Sequence, residues 1–492
     1  MNKEQFKKYA EDYNVIPVYE TITADLLTPV LAYLKIREKG DFSFLLESVE
    51  GIGRLARYSF IGHSPSSTIY SDENKVVINN EEGSEEYKSN LLDFLSQQVD
   101  SFKHPKIEDL PDFTGGIVGY LGFEIISEIE NSIIFNNDKD DDFPQAMLGL
   151  FDSIIAFDHY KHRIIIITNV FVDSNSDLDG LYENAKTKIV QLKSIIKKQA
   201  KLPTGFKLNG EISNQINNVN FQEKIEKIKN NIYEGDVFQL VLSERFSSEY
   251  DGDLINLYRA LRIINPSPYM YIFEFNRELS IIGTSPEDLL KVNNNRATIL
   301  PIAGTRRRGK TEKEDLALEK NLLADDKEIA EHTMLVDLAR NDLGRVCKHN
   351  SVEVTEMMSI HRFSHVMHIV SRVEGDLNEE SNCIDALKAS FPAGTVSGAP
   401  KIRAIQLIDE YEESSRGPYA GSVGYIDFKG NLDMCIAIRT LFADSKKIYW
   451  QAGAGIVADS KANLELKEIK NKSAVLESAL KFAEVIDESF GN

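Results

Sequence analysis

Cysteine is scarce in this sequence, with three residues in a chain of 492. Cys347, Cys383 and Cys435 are scattered and match no metal-ligand or nucleophile spacing, so neither a disulfide framework nor a zinc site is predicted. Isolated free cysteines of this kind are usually small buried residues. The cysteine usage therefore indicates a protein of the reducing cytoplasm.

Long apolar runs and a signal peptide are also missing. No apolar run approaches the length of about 20 residues that a membrane-spanning helix needs, and the isoleucine run 164–167 fits a buried strand. The segment 1–8 is polar and has no signal-peptide core. We therefore expect a cytoplasmic protein that does not enter a membrane.

Positive charge is in short supply, because 56 lysines and arginines face 77 aspartates and glutamates, for a net charge of −21. This balance argues against nucleic acid or an anionic membrane as a partner, since both attract clustered positive charge. A small anionic substrate is still allowed. Charges more than about 8 Å away are screened at physiological salt, so nearby arginines decide whether such a substrate binds.

The segment 451–472 combines a glycine-containing strand end with a helix. Gly453 and Gly455 follow an apolar run, which is typical of a strand whose backbone approaches a ligand closely. A helix is predicted to start between Ser460 and Asn463, where good N-cap residues stand. The segment therefore predicts a strand, a tight loop and a helix in succession.

The predicted helix carries carboxylates on a face that becomes apolar further along. Glu465, Glu468 and Lys472 share this face with Ile469 and Leu476 on a 3.6-residue period. Carboxylates turned towards a core are unfavourable unless they are paired or bind a metal. Either the start of the helix is solvated, or these side chains hold a cation.

A second segment repeats the pattern. Residues 325–344 are predicted to form a helix with Glu328 and Glu331 on the same face as Leu335 and Ala339. If the two helices meet, their carboxylates share one site, and two like charges 4 Å apart repel by about 4 kcal/mol at an effective dielectric of 20. A divalent cation relieves this repulsion, and oxygen ligands without cysteine or clustered histidine favour Mg²⁺.

Several other positions give weak individual signals. Glu287 follows a predicted strand and exposes a carboxylate, and Arg439 ends an apolar strand. The loop 391–401 is rich in glycine and hydroxyl groups and precedes a helix, where backbone N–H groups can hold an oxyanion. His368 lies on a predicted strand and is either a proton carrier or an ordinary core histidine.

The order of strand-like and helical segments favours an α+β fold over a doubly wound sheet. The segment 201–220 is polar and contains proline, glycine and several asparagines, so we place the main linker there. We accordingly divide the chain into an N-terminal region, 1–215, and a C-terminal region, 216–492.

Together these motifs resemble the chorismate-utilising enzymes and, among them, the large subunits of anthranilate synthase (component I). The match runs in order over nearly the whole chain, and so many motifs in register are far more specific than one glycine pattern. The segments that carry the resemblance are 45–48, 265–270, 301–306, 334–343, 391–401 and 451–472.

The resemblance implies a layered β-sandwich flanked by helices, with two intertwined lobes. In such a fold the N-terminal region is regulatory and binds tryptophan, and the C-terminal region binds chorismate and carries out the chemistry. The implied reaction is that of a lyase, in which ammonia adds to chorismate and anthranilate and pyruvate are released.

The resemblance also implies roles for individual residues. Glu287 matches the general acid that protonates the leaving hydroxyl group, and His368 matches the histidine of the second step, in which pyruvate is lost. The remaining matching positions are Glu331, Glu468, Glu328 and Glu465 for Mg²⁺, and Gly304, Thr305, Thr395, Tyr419, Arg439, Gly453, Ala454, Gly455 and Lys472 for chorismate.

Gln239 and Ala303 indicate the subfamily. Isochorismate and salicylate synthases carry a water-activating lysine at the position of Gln239, and a neutral glutamine cannot act as that base. Aminodeoxychorismate synthases typically carry a nucleophilic lysine at the position of Ala303. Both positions favour ammonia as the nucleophile, and Gln239 is counted among the catalytic positions.

The resemblance further implies two partners. Ammonia in this family comes from a glutaminase with a catalytic triad, and the sequence contains no Gly-x-Cys-x-Gly motif. A separate glutamine amidotransferase subunit (component II) is therefore expected, in a heterotetramer. Tryptophan is expected as a feedback inhibitor, and the positions that match its site are Ser48, Arg57, Pro268, Tyr269 and Met270.

Two alternatives stay open. An aminodeoxychorismate synthase component I releases a 4-amino product instead of anthranilate. A non-catalytic, tryptophan-binding regulatory subunit binds tryptophan and consumes no chorismate. The presence of a complete set of chemical groups argues against the second alternative; the set is Glu287, Glu331, His368, Arg439 and Glu468.

Overall fold

The computed structural model describes residues 1–38, 40–48, 57–72, 75–136, 143–214, 218–275, 279–363 and 366–486. Two sheets of 12 strands each form its centre, and helices cover them. The pairings between described strands are antiparallel, as in Glu47 with Met270 and Leu121 with Ser422. The predicted α+β class is therefore confirmed.

The first sheet contains strands from both halves of the chain. In spatial order its strands are β1 (Val15–Thr23), β10 (Arg163–Phe171), β9 (Ser153–Asp158), β3 (Tyr58–His63), β2 (Ser43–Glu47), β13 (Tyr269–Glu274), β14 (Ser280–Ser285), β23 (Thr440–Ala443), β24 (Lys447–Ile456), β12 (Gln239–Asp251) and β11 (Lys207–Asn214), with β20 (Gly398–Ala399) also paired to β12.

The second sheet is built in the same way. In spatial order its strands are β17 (Ile302–Arg307), β19 (Val366–Asp376), β16 (Arg296–Ile299), β15 (Asp288–Asn293), β22 (Leu432–Ile436), β21 (Ser422–Asp427), β7 (Gly116–Leu121), β8 (Ala146–Phe151), β4 (Ser67–Asp72), β5 (Lys75–Asn80) and β6 (Gly83–Tyr87), with β18 (Glu353–Arg362) also paired to β19.

The helices of the described residues pack on the outer faces and at the ends of the sheets. They are α1 (Lys3–Tyr9), α2 (Pro29–Ile36), α3 (Leu91–Ser101), α4 (Ile126–Ile129), α5 (Leu178–Lys197), α6 (Asn218–Glu234), α7 (Ile255–Ile264), α8 (Glu312–Leu323), α9 (Asp326–Gly344), α10 (Cys383–Ser390), α11 (Lys401–Tyr411) and α12 (Ala462–Val485).

The two sheets pack face to face through aromatic side chains. Phe44 of β2 contacts Phe151 of β8 with ring centroids 4.7 Å apart, and Phe60 of β3 lies 6.3 Å from Tyr425 of β21. Edge-to-face pairs of this kind add to the burial of apolar surface. The expected layered sandwich is thus present, and its core lies between the sheets.

The two lobes are intertwined, as expected, because each sheet joins strands of the N-terminal region to strands of the C-terminal region. In the first sheet β2 pairs with β13, and in the second β7 pairs with β21. The predicted boundary between residues 215 and 216 lies outside the described residues. The division of labour between regions 1–215 and 216–492 stays a prediction.

The predicted linker 201–220 is wrong in part. Residues 207–214 form β11, which pairs with β12 at the edge of the first sheet. The strand is largely exposed and polar. It therefore lacks the alternation of apolar and polar residues by which a strand is predicted. At a sheet edge the backbone hydrogen bonds of the ladder are sufficient to hold a strand whose side chains face water.

The two helices that carry the predicted carboxylates bury the expected faces. Leu335 and Ala339 of α9 are buried, as are Ile469 and Leu476 of α12. The only tryptophan of the chain, Trp450 of β24, donates a hydrogen bond to the hydroxyl of Ser473 at 2.8 Å. This bond ties α12 to the first sheet.

The starts of these helices differ in their capping. The Asp325 side chain accepts hydrogen bonds from the backbone of Lys327 and Glu328, as predicted for α9. Helix α12 starts at Ala462 within the predicted range, but its N-cap residue Lys461 supplies no side-chain cap. No helix in the described part of the chain combines the length and apolarity needed to cross a membrane.

Gly424 of β21 offers a test of the close pairing of β21 with β22 in the second sheet. A Cβ atom at this position would lie 2.1 Å from the backbone carbonyl oxygen of Asp433 in the neighbouring strand. Because that atom belongs to the paired backbone and cannot move aside, we expect Gly424→Ala to lower the free energy of unfolding by about 1–3 kcal/mol. Urea denaturation followed by circular dichroism measures this change.

The matched control is Gly344→Ala at the end of α9, where no described atom lies within 4 Å of the added methyl group. We expect this variant to stay within about 0.5 kcal/mol of the unmodified chain. Equal stability of the two variants would contradict the packing described for β21.

Candidate active site

The pairing of β12 with β24 forms the base of the candidate site. Val241 lies opposite Gly455, and Ser243 lies opposite Gly453. A Cβ atom on Gly455 would lie 2.7 Å from Nε2 of Gln239, and one on Gly453 would lie 2.9 Å from the hydroxyl oxygen of Tyr419. The bare backbone of β24 therefore lets polar side chains lie directly against it, and the predicted close approach of a ligand to these glycines stays a prediction.

Glu287 stands between β14 and β15 and is held by Thr395. The Thr395 hydroxyl, in the short 3₁₀ turn Gly394–Val396, donates a hydrogen bond to Oε1 of Glu287 at 2.8 Å. Burial raises the pKa of Glu287 to about 7, although the Thr395 hydrogen bond and the positive charge of Lys472 lower it. A carboxyl group with this pKa retains a proton near neutral pH and can act as a general acid.

His368 of β19 faces β17. Its Nδ1 atom lies 3.1 Å from the carbonyl oxygen of Gly304 and 3.0 Å from the hydroxyl of Thr305. Because a carbonyl oxygen only accepts, the Gly304 contact places the proton on Nδ1 and leaves Nε2 able to accept one. Burial lowers the pKa of His368, so the neutral imidazole is the form present at pH 7.

Gly304 also brings β17 close to α9. Its φ of +70° is a left-handed conformation that favours glycine. A Cβ atom here would lie 3.2 Å from Oε2 of Glu328. The absence of a side chain at this position allows the histidine and the carboxylates of α9 to border one cleft.

The carboxylates of α9 and α12 are near enough to influence one another electrostatically, and their sharing of a metal site stays a prediction. Loss of water around Glu331 raises its pKa, and the negative charges of Glu328 and Glu468 raise it further. Glu328 accepts a hydrogen bond from Nη1 of Arg306 at 3.1 Å. Glu465 lies half-buried one turn before Glu468 on α12.

These carboxylates form an open set. Within the described ranges, no group of three or more His, Cys, Asp or Glu side chains is placed to hold a metal ion by itself. The charges of Glu328 and Glu468 are instead offset by Arg306 and Lys472. The oxygen chemistry suits Mg²⁺, which is usually held by one or two carboxylates together with water and substrate oxygens.

Lys472 connects the carboxylates to the base of the site. Its ammonium group donates to the carbonyl oxygen of Gly453 at 2.8 Å and forms an ion pair with Glu468 at 2.8 Å. Arg439 donates from Nη1 to the backbone oxygen of Lys472 at 3.1 Å. Burial lowers the pKa of Arg439, but an arginine side chain stays charged in proteins.

Among the predicted positions, contacts link Lys472 to Gly453, Glu468 and Arg439, Thr395 to Glu287, and His368 to Gly304 and Thr305. Burial raises the pKa of the Tyr419 hydroxyl to about 12, so this group stays neutral and can donate or accept a hydrogen bond. Ala454 lies between the two glycines in β24, opposite Leu242.

The positions predicted for tryptophan lie elsewhere, near the junction of β2, β3 and β13. Ser48 directly follows β2, and its buried hydroxyl has no hydrogen-bond partner among the described residues. Pro268 directly precedes β13. Met270 pairs with Glu47, and Tyr269 donates a hydrogen bond from its hydroxyl to Asp433 at 3.0 Å.

Arg57 belongs to the same area but is already paired. Its guanidinium donates to both carboxylate oxygens of Asp158, at 3.1 and 3.0 Å, and lies over the ring of Tyr58. The segment 49–56 that joins it to Ser48 lies outside the described residues. The structure therefore places Ser48, Tyr269 and Met270 on neighbouring strands and gives Arg57 an ion pair of its own.

Sequence reasoning missed a buried ion pair beneath the site, formed by Arg416 and Glu412. The local signals are an arginine directly before the Gly-Pro turn at 417–418 and a glutamate four residues before that arginine. Both are typical of solvent-exposed turns and helix ends, so neither indicates burial.

Comparison with known proteins agrees with this arrangement. The model of a family described as chorismate binding enzyme matches residues 43–478. The chain belongs to the chorismate-binding enzyme family.

Full-length relatives are similar to the whole chain. The anthranilate synthase component 1 of Acetivibrio thermocellus is 43% identical over 491 residues, which cover 98% of each chain. The protein of the same name from Aquifex aeolicus is 43% identical over 500 residues, again with 98% coverage of both.

Solved structures of family members have the same fold. The crystal structure of anthranilate synthase component I from Streptococcus pneumoniae TIGR4 superposes with a TM-score of 0.74 at 37% identity, covering 93% of this chain and 99% of that one. The menaquinone-specific isochorismate synthase of Escherichia coli superposes with a TM-score of 0.72 at 20% identity, covering 97% of this chain and 98% of that one. The second likeness concerns the fold alone.

The contact between Thr395 and Glu287 predicts a pH effect. A general acid is active while protonated, so the alkaline limb of kcat/KM for chorismate should report the pKa of Glu287. The Thr395 hydroxyl stabilises the carboxylate form, so Thr395→Val should raise this pKa and move the limb to higher pH by about one unit. Initial rates measured at constant free ammonia across the pH range test this shift.

The control is Thr333→Val, because the Thr333 hydroxyl is exposed on α9 and bonds to its own helix at Ile329. Its pH profile should match that of the unmodified chain. A limb that stays in place in Thr395→Val would show that the measured pKa does not belong to Glu287.

Proposed function

We propose that this chain is the chorismate-converting subunit of an anthranilate synthase, which uses ammonia to form anthranilate and pyruvate from chorismate. The observation that carries the proposal is a general acid, Glu287, kept protonated near neutral pH within a site that also holds a neutral histidine and paired carboxylates. Relatives that carry the corresponding name match over the full length of the chain.

In the first step ammonia attacks C2 of the chorismate ring, and the C4 hydroxyl leaves with the accompanying shift of the double bonds. Glu287 gives its proton to that hydroxyl, so the leaving group departs as water. Burial supports this role because it disfavours the charged carboxylate and so raises the pKa of Glu287. The group therefore carries the proton that a general acid delivers.

In the second step the amino intermediate loses pyruvate and becomes aromatic. His368 removes the proton from C2 through Nε2, which the hydrogen bond of Nδ1 to Gly304 leaves unprotonated. The electron pair of the broken C–H bond forms the last double bond of the aromatic ring as the bond between C3 and the enol oxygen breaks. The enolate that leaves takes a proton on its CH₂ carbon and becomes pyruvate.

Substrate orientation falls to groups around the base of the site. Arg439 and Tyr419 present a charged and a neutral donor to the carboxylates of chorismate, which suits recognition of a dianion. The glycines of β24 and the turn of Thr395 let the ring approach the backbone, and Gly304 and Thr305 border it from β17.

We infer that Glu331 and Glu468 would hold Mg²⁺ together with oxygens of the substrate. Loss of water raises the pKa of Glu331, and the negative charges of Glu328 and Glu468 raise it further; a divalent cation would remove that repulsion. When bound, the ion neutralises a carboxylate of chorismate and fixes its position. Glu328 and Glu465 stand beside these ligands and act on them through charge.

Gln239 and Ala303 support ammonia as the nucleophile, because neither side chain activates water or forms a covalent bond to the ring. We infer that ammonia is produced by a separate glutamine amidotransferase subunit, component II, in a heterotetramer. The relatives' designation as component 1 supports a second component.

The deciding experiment mixes the purified chain with chorismate, Mg²⁺ and ammonium at alkaline pH and follows anthranilate fluorescence. A rise in fluorescence supports the proposal. Chorismate consumption without a rise would instead point to an aminodeoxychorismate or isochorismate product, and no consumption would point to a non-catalytic regulatory subunit.

The metal assignment predicts that Glu468→Gln lowers turnover by at least about 10²-fold, because the amide removes one negative charge from the Mg²⁺ site. The apparent affinity for Mg²⁺, measured by titration of the rate, should fall in parallel. Glu477→Gln on the same helix is the control, since a glutamine keeps the acceptor for the Ser473 hydroxyl. Normal Mg²⁺ dependence in Glu468→Gln would exclude Glu468 as a ligand.

We also propose that tryptophan binds at Ser48, Pro268, Tyr269 and Met270, with Arg57 nearby, and inhibits the reaction. The unpartnered Ser48 hydroxyl supports this placement, because a buried polar group without a partner is unfavourable until a ligand supplies one.

A bulky residue at position 48 should therefore weaken inhibition by tryptophan and change kcat only slightly. We expect Ser48→Phe to raise the tryptophan concentration for half-inhibition by at least about tenfold and to change kcat less than threefold, since loss of a buried contact costs about 1–3 kcal/mol. Ser48→Ala, which removes only the hydroxyl, should give a smaller shift. Unchanged inhibition in both variants would remove Ser48 from the site.

A further inference from the structure

Arg416 is a buried cation in a protein of net charge −21. It lies in the turn after α11, with 2% of its surface exposed, and its backbone N–H donates to the carboxylate of Glu124 at 2.8 Å. A buried guanidinium costs free energy unless its donors are satisfied. The position of each partner therefore indicates what the side chain holds in place.

The first partner is Glu412, which is 5% exposed. Nε of Arg416 donates to Oε2 of Glu412 at 2.8 Å, and Nη2 donates to Oε1 at 2.6 Å, in the two-pronged geometry that only arginine provides. Glu412 also accepts from the backbone N–H and the hydroxyl of Ser243 on β12, at 2.7 and 2.8 Å. The ion pair is thereby fixed to the strand that forms the base of the site.

The other partners are two backbone carbonyl groups that border the site. Nη1 donates to the oxygen of Val396 at 2.7 Å, and Nη2 donates to the oxygen of Val241 at 2.9 Å. Val396 directly follows Thr395, whose hydroxyl holds Glu287. Val241 lies in β12 opposite Gly455. One rigid group therefore sets the spacing between the turn of Thr395 and the base of the site.

The flat faces of the guanidinium contact aromatic rings. Its central carbon lies 4.5 Å from the ring centroid of Phe123 and 5.6 Å from that of Tyr419. The backbone N–H of Tyr419 donates to the Arg416 carbonyl at 3.2 Å, and the Tyr419 hydroxyl reaches Gly453. Arg416 thus contacts the turn that contains Thr395, strand β12 and the proposed substrate-binding residue Tyr419. Its described contacts include neither Glu287 nor His368.

We propose that Arg416, held by Glu412, is a positioning residue that keeps the Thr395 turn, β12 and Tyr419 in register for the reaction on chorismate. The inference rests on the proposed function for the identity of that reaction. Stability alone does not explain an ion pair here, because well-packed apolar residues often replace a buried ion pair without loss of stability. Apolar side chains would leave the carbonyl groups of Val396 and Val241 without these donors.

Arg416→Lys is the main test, since lysine keeps the charge but cannot span Glu412 and both carbonyl groups. We expect kcat to fall by about 10²-fold with a much smaller change in KM, because a displacement of about 1 Å of reacting groups costs about that factor. The alkaline limb of kcat/KM should also move to higher pH, as in Thr395→Val, because Glu287 loses part of its hydrogen bond. Lys472 and Asp288, the charged neighbours of Glu287, are untouched by this change.

The matched control is Arg37→Lys. Arg37 is also part-buried and paired with two carboxylates, Asp253 and Glu274, but it contacts none of the candidate site residues. Both variants are compared for melting temperature, folded fraction, kcat, KM and pH profile. We expect similar losses of stability in the two variants and a loss of kcat in Arg416→Lys alone.

Glu412→Gln carries the same test if Arg416→Lys does not fold, because the amide keeps one acceptor for Ser243 and loses the charge that holds Arg416. Either variant overturns the proposal if kcat per folded molecule stays within threefold and the alkaline limb does not move.

The product formed by the unmodified enzyme shows which of the two proposals fails, the role of Arg416 or the proposed function. If it consumes chorismate but makes another product, the proposed function fails, and the ratio of variant to unmodified kcat still decides the role of Arg416. If it consumes no chorismate, both proposals fail.

Discussion

Backbone hydrogen bonding between β12 and β24 is the constraint on which the rest of the site depends. Its register places Val241 opposite Gly455 and Ser243 opposite Gly453, and the Gln239 side chain lies against Gly455. Side chains alternate along a strand, so a one-residue shift would turn Gln239 to the opposite face. The same ladder gives Lys472 its carbonyl partner at Gly453. Helix α12 and its carboxylates are therefore placed by the sheet they pack against.

Burial assigns opposite protonation states to the two groups that transfer protons. Removal of water disfavours the charged form of any ionisable group, so the carboxyl of Glu287 keeps its proton and the imidazole of His368 loses one. One physical effect thus shifts the two pKa values in the directions that the proposed acid and the proposed base need. The hydrogen bonds from Thr395 and to Gly304 then fix the direction of each group.

Much of this arrangement could be predicted from the sequence where the signal is local or periodic. The apolar faces of α9 and α12 follow from a 3.6-residue period, and the negative charge of Glu468 on α12 acts on Glu331 of α9. The sequence predicts a linker at 207–214, where the structure has a strand, because edge pairing leaves no apolar pattern. Arg416 was missed because its partners, the carbonyl groups of Val241 and Val396, come from distant segments and carry no side-chain signature.

The interleaving of both sheets has a consequence for synthesis of the chain. Strand β2 ends at Glu47, whereas its neighbour β13 begins at Tyr269, so β13 is synthesised long after β2. The pairing of β7 with β21 likewise joins segments far apart in the chain. At a translation rate of about 5–20 residues per second, the emerging N-terminal strands expose unpaired edges for many seconds, and such edges template aggregation. The nascent polypeptide therefore carries open strand edges, able to pair with another chain, until its C-terminal strands have left the ribosome.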